Sequence, residues 1–543
     1  MTSPSIIGEQ RPAGRRAASD AGAAALRHVV RAEWIKFRSV RGWVIGMIVA
    51  VLLILFFGVF LAGNASIGCG PHLSGRACLP KIPIGPGGEA VTDSFYFVRQ
   101  PLDGNGSLTV RVTSLATLVA TGGQPGPVGQ GPLNPLANMR KGQSPWAKAG
   151  IIITASTRQG SAYAAVMVTG SHGVRMQYDY IHDTAGLAGT VSPAAPRWLR
   201  LTRSGDVISG YDSADGQHWD LVGTATLAGL PVTVQAGPFA TSPIYSKLQP
   251  FFGGEHVESG PSQATAVMDD ITRHGHWPTA TWTGDNIGGS GDSPASGVGY
   301  FRQAGGAVTV SGSGDIAPVV PGPGSSYPTT TIEQPLSAIF VGLIAVVVVA
   351  AMFFTAEYRR GLIRTTLAAT PNRGRVLAGK AVVVAAVAFL AALVASVIAV
   401  PIGISRAREQ GQFVLPVSML TEVRVVAGTA AMVGVAAILA VAVGAILRRS
   451  AAAVTTVIVI IVLPFLLSVA VLPAGAADWV LRLTPAAGFA IEQSIPRYSD
   501  VSAVYSPAGG TYPLPPWAGF GVLCLYAAVA LALAALLLRR RDA

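Results

Sequence analysis

Charge is scarce in this chain. Only 12% of its 543 residues are Asp, Glu, Lys or Arg, where a soluble globular domain has about a quarter. The shortage argues against a water-soluble protein and points to lipid. Cysteine is scarcer, with three in the whole chain. Cys69 and Cys78 have only His72 near them as a further ligand, too few for zinc, so no metal site is assigned. Nucleotide-binding signatures are missing too. Gly374-Arg-Val-Leu-Ala-Gly379-Lys380-Ala381 comes near a phosphate-binding loop. Ala381 stands where a hydroxyl should hold magnesium, and no strand precedes it. No catalytic residue and no bound cofactor are expected.

What the chain has in quantity is apolar length. Six stretches reach the roughly 20 residues that cross a bilayer: 42–63, 336–354, about 378–402, about 425–447, 451–473 and 517–538. The fifth is interrupted by Pro464, read either as a bend at a pore or as a simple kink. No charge interrupts any apolar core, so the sequence suggests no ion route. Lys380 and Arg424 lie at helix ends and are expected to snorkel to the headgroups. The fold class expected is a polytopic α-helical membrane protein of six transmembrane helices.

The formal net charge is +12, and its placement argues for membrane lipid rather than nucleic acid as the partner. Eight Arg and Lys residues precede the first span, from Arg11 to Arg41. Arg359, Arg360, Arg364, Arg373, Arg375 and Lys380 follow the second. Arg448 and Arg449 part the fourth from the fifth, and Arg539, Arg540 and Arg541 follow the sixth. The remaining short loops hold few. The positive-inside rule then puts both termini in the cytoplasm of a multi-pass plasma-membrane protein, with residues 64–335 outside. The alanine, glycine and arginine bias suggests a bacterial source. In the oxidising compartment a disulfide between Cys69 and Cys78 is expected; Cys524 reads as an apolar filler.

The insert between the first two spans reads as β structure. Residues 107–115, SLTVRVTSL, alternate apolar and polar. Residues 198–227 look like successive hairpins, with turns at Ser204-Gly205-Asp206 and Ala214-Asp215-Gly216. A β-sandwich over 64–284 and a Gly/Pro/Ser-rich linker over 285–335 are expected. PWAKAGIIITAS, WLRLTRSGDVISGYDSADGQHWDLVG and a terminal MDDI resemble a concanavalin A-like β-sandwich over roughly 90–275. That resemblance implies carbohydrate as one ligand class. Trp146, Tyr178, Trp198 and Trp219 then form either a sugar-stacking surface or hairpin packing. The paired carboxylates of glucanases on that fold are missing, so hydrolysis is not expected. Asp269 and Asp270 read as solvated turn residues more readily than as a calcium site.

Two cytoplasmic pieces carry more information. In AALRHVVRAEWIKFRSVRGW, 24–43, Leu26, Val30, Trp34 and Phe37 recur at helical spacing with basic residues between them. An amphipathic helix lying on the inner membrane surface is expected. In 355–376, TAEYRRGLIRTTLAATPNRGRV, Leu362, Thr366 and Ala369 share a helical face before Pro371. Together with the six-span layout and LRLTPAAGFAIEQSIP before the last span, these pieces resemble the permease subunit of type-2 ABC exporters, over 24–63 and 336–543. The resemblance implies a connecting helix within 1–41 and a coupling segment at 355–376. It also implies a separate ATP-binding subunit that carries ATP and magnesium, and a second permease copy or paralogue in the membrane. Glu33, Trp34, Lys36, Glu357, Arg359, Arg360, Arg364, Thr365 and Arg373 are the implied ATPase-coupling residues. The competing expectation is a membrane-anchored carbohydrate receptor or adhesion module working through the sandwich.

Overall fold

The computed structural model describes residues 13–63, 81–120, 139–251, 254–288, 299–321, 327–359, 361, 372–503 and 505–540. Six helical segments are long and apolar enough to cross a membrane. An amphipathic helix α1 (Ala13–Ser39) precedes the first, α2 (Arg41–Gly63). After a large β domain come α3 (Ile339–Arg359), α4 (Arg373–Glu409), α5 (Met419–Leu447) and α6 (Ser450–Ala470). A short α7 (Ala474–Leu483) and a 3-10 segment (Pro485–Glu492) lead to α8 (Pro516–Arg540).

Alanine, valine and glycine dominate the helix contacts because small side chains let backbones approach. A Cβ on Gly46 would lie 2.5 Å from Val349 Cγ2, so α2 and α3 cross at that glycine. α5 is the central helix: Ala430, Val433, Ala436, Ala437 and Ala440 are all fully buried. Pro464 shapes α6 as its chemistry demands. Its ring clashes with the carbonyl four residues back and it donates no hydrogen bond. Ile458–Val462, just before it, winds as a π-helical turn, one of the identified causes of helix bending.

The β domain is built around one long bent strand, Phe95–Ala120. Its first part pairs with Thr233–Thr241 and Thr283–Ile287; its middle pairs with Arg197–Ser204; most of its length pairs with Ser262–His276. The sheet runs Asp220–Thr226, Val207–Ser213, Arg197–Ser204, Phe95–Ala120, Thr233–Thr241, Lys148–Thr154, Tyr163–Thr169, Val174–Tyr178, His182–Ala185. Folding over on itself, it encloses a core of Leu108, Val110, Val112, Ile151, Val166, Leu199, Leu201 and Val310. Lys148–Thr154 and Tyr163–Thr169 are buried on both faces. Phe97, Ile152, Met167, Tyr180 and Phe239 pack there as a second cluster.

The stretch 285–335 is not the plain linker that its composition suggests. Tyr300–Ala304 and Ala307–Gly312 are strands of the main sheet. Alternating Val308 and Val310 point into the core, and that burial outweighs the surrounding glycine and serine. The domain is also seated on the bundle. Thr329–Thr330 pairs in parallel with Phe413–Val414 of the α4–α5 connection. Ile82, Ala90 and Val319 share an apolar cluster with Leu415 and Ile495.

Candidate functional site

The site lies at the end of the bundle away from the β domain, where α1 meets α3 and α4. Gly379 sets the crossing. A Cβ there would stand 2.7 Å from Val29 Cγ1, so only glycine lets α1 lie this close to α4. One residue on, Lys380 points into the contact. Its Nζ donates to Glu33 Oε2 at 2.7 Å and to Glu357 Oε1 at 2.6 Å. It also stands 4.6 Å from the centroid of the Phe353 ring. Lys36 Nζ donates to the same two carboxylates, at 2.9 and 3.2 Å. Two ammonium groups and two carboxylates thus alternate around a closed ring, with no net charge.

Burial grades across the ring. The Lys380 side chain is 0% exposed, Glu33 3%, Glu357 12% and Lys36 42%. Burial pulls Lys36 down, but the hydrogen bonds and charges of Glu33 and Glu357 together hold it above the ordinary lysine value. Phe37 and Trp43 pack edge-on against Phe353 beneath the ring. Further ties converge here. Arg373 Nη1 donates to the Leu538 carbonyl at 2.7 Å, joining the start of α4 to the end of α8. Arg448, in a left-handed conformation between α5 and α6, lies 5.0 Å from the centroid of the Tyr358 ring. The ring holds three helices in one register, because separating any of them strands a buried charge. It contains no nucleophile poised against a base.

Lys380, expected to snorkel from a helix end, is instead buried in the ion ring. Its partners lie 347 and 23 residues away, so no local pattern announces them. Arg424 does not snorkel either; it caps backbone carbonyls inside the bundle. Glu33, Lys36 and Glu357 come together as one group. The carboxylates of Glu33 and Glu357 turn inward to Lys380, away from any partner's reach. Trp34 is 45% exposed and off the buried ridge of α1, which runs through Glu33 and Phe37. Arg373 is half-buried. The Arg359 side chain, and Arg360, Leu362, Arg364, Thr365, Thr366, Ala369 and Pro371, lie outside the described residues, as do Cys69 and Cys78.

The four aromatic residues of the β domain do not form one stacking surface. Trp146 is 7% exposed and stacks on His172 at 3.9 Å. Tyr178 stacks on His182 at 4.3 Å. Arg111 lies over Trp198 and Arg200 over Trp219, the latter at 3.8 Å. Each ring thus has a side-chain neighbour on it. Asp269 makes a two-pronged ion pair with Arg111, at 2.6 and 2.8 Å. Among the described residues no three His, Cys, Asp or Glu side chains gather as a metal site.

No family model matches the chain, and no curated protein matches it. Several solved structures are similar to part of it. A functionally unknown protein from Saccharomyces cerevisiae matches at 15% identity and TM-score 0.21, over 37% of this chain and 84% of its own. Scytalido-glutamic peptidase with a transition state analog inhibitor matches at 9% identity and TM-score 0.24, over 40% of this chain and 98% of its own. The same peptidase with a peptide-based analog gives 8% identity and TM-score 0.19, over the same shares. Likenesses of this size carry no conclusion about activity.

Proposed function

We propose that this chain is the membrane-spanning permease subunit of an ATP-driven ABC exporter, coupled to a separate ATP-binding subunit. The observation that carries the reading is the ion ring of Glu33, Lys36, Glu357 and Lys380. It ties α1 to the end of α3 and the start of α4, the two helices that flank residues 360–372. A push on that segment from a partner would enter both helices and α1 together, because the ring fixes their register. In this reading the ring is the fixed base, and Lys36, Trp34 and the arginines of 359–373 are what a partner meets. The basic end lies in the cytoplasm and the β domain outside. ATP and magnesium belong to the partner, and a second six-helix half completes the path.

The receptor reading finds less support. A sugar-stacking site needs open aromatic faces, and these aromatic rings have side-chain neighbours on them. The β domain is also seated on the bundle through a strand pair and an apolar cluster, unlike a module hung on a tether.

The test is purification of the full chain from its native membrane in mild detergent, with mass spectrometry of what remains bound. An ATPase in near-equal amount is expected, and it should be lost when Arg359, Arg360 and Arg364 are reversed in charge. Repeated absence of any ATPase from an intact preparation overturns the reading.

A further inference from the structure

We propose that Glu333 and Glu492 form a proton-binding site at the end of the bundle that carries the β domain. The pair holds at least one proton at neutral pH and releases it to water only when that end opens. The inference does not depend on an ATPase at the other end.

Both acids are buried, at 5% and 3% exposure. Glu333 precedes the 3-10 turn Gln334–Leu336 that leads into α3. Glu492 ends the 3-10 segment Pro485–Glu492. Glu333 Oε1 accepts the Ser494 N–H at 3.3 Å, and its Oε2 has no hydrogen-bond partner among the described residues. Glu492 Oε1 is likewise buried without a hydrogen-bond partner among the described residues. A Cβ on Gly510 would come within 2.9 Å of Glu333 Oε1, so the turn before α8 closes over the carboxyl.

Arg424 on α5 is the cation at hand, and its guanidinium is committed elsewhere. Nη1 donates to the Ile491 carbonyl at 2.9 Å and Nη2 to the Gln493 carbonyl at 2.7 Å. It holds the chain on both sides of Glu492 without pairing its carboxylate. From the other elements, Tyr512 faces both acids and is itself buried. Thr331 and Ser494 face Glu333. Neither acid has an ion pair among the described residues.

The Arg424 charge is felt by Glu333, but one cation cannot offset two carboxylates held out of water, so both do not ionise together. A bare buried carboxylate is far costlier than a neutral acid. Burial raises Glu492 well above the ordinary carboxylate value, and the charge of Glu333 adds to the shift. Burial raises Glu333 in the same direction. Opening to water removes the cause of the shift, so a proton leaves with each opening and returns on closure. The sign for stability follows. An acid raised in the folded state stabilises it most below the ordinary carboxylate range, and that stability is lost as pH rises through the raised value.

The experiment uses the full chain in detergent. Infrared difference spectra should show a protonated carboxyl band at neutral pH that Glu492→Gln or Glu333→Gln diminishes. In the wild-type chain the band should fade on alkaline titration while thermal stability falls. Glu492→Gln mimics the neutral acid, so it should fold as well at neutral pH and lose part of the alkaline slope. If neither substitution changes the band, and alkaline titration of the wild type shows no carboxyl losing a proton, both acids are ionised and the proposal fails.

Discussion

The two ends of the helical bundle bury ionisable side chains in opposite ways. Away from the β domain, two carboxylates and two ammonium groups close a ring, and Lys380 has two oxygens within 2.7 Å. Beneath the β domain, two buried acids feel each other's charge while the Arg424 N–H groups go to backbone carbonyls. A balanced buried ring keeps its charge and resists separation. An unbalanced buried pair sheds charge by binding a proton. One arrangement fixes helices to each other; the other makes a junction answer to pH.

The largest effect should come from breaking the balanced end. Lys380→Ala leaves Glu33 and Glu357 facing each other in a buried site, with only the half-exposed Lys36 to offset them. A loss of about 3–5 kcal/mol is expected, read as a fall in thermal stability and in the yield of folded chain. A change below 1 kcal/mol would mean that water already reaches the ring.

Gly379→Leu leaves the charges in place but pushes α1 off α4, since the position of the added Cβ is 2.7 Å from Val29 Cγ1. Overpacking of this kind costs about 1–3 kcal/mol. Hydrogen exchange should rise in α1 and around Lys380 and stay unchanged in the β domain. Equal protection in α1 would separate the ring from the helix crossing.

The smallest effect sharpens the unbalanced case in the β domain itself. Asp93 is 4% exposed and has no ion-pair cation among the described residues; it accepts from Tyr180 Oη at 2.8 Å and from the Gly160 N–H at 2.9 Å. Burial raises it to about 6 against those two hydrogen bonds. Its stabilising contribution is therefore full below its usual 3.8 and lost as the pH rises through about 6. Thermal unfolding of the full chain with Asp93→Asn should lose that part of the slope between pH 4 and about 7. An unchanged slope would show that the hydrogen bonds, not burial, set this acid.

Much of the architecture was legible because it is periodic or long. Six apolar runs announce six helices, and alternation in SLTVRVTSL announces a strand. The ends of the elements were less legible. α4 spans Arg373–Glu409, well past the apolar run 378–402, because buried Val376, Leu377, Gly403 and Ala407 carry the packed face beyond it at both ends. The buried face of α1 departs from the sequence pattern for a related reason. Trp34 and Phe37 are equally apolar in sequence, yet only Phe37 is buried, because Glu33 turns the helix toward Lys380.

By itself the sequence determined which segments are long and apolar enough to cross a membrane, where positive charge collects, and that a β domain interrupts the helices. These follow from local composition and spacing. The tertiary structure alone decided that Lys380 is a buried hub, that the tryptophans of the β domain lie under arginine and histidine, and that Glu333 and Glu492 are buried within reach of each other's charge. Each depends on residues far apart in the chain. A buried charge is stable or costly only according to what folding places within a few ångströms of it.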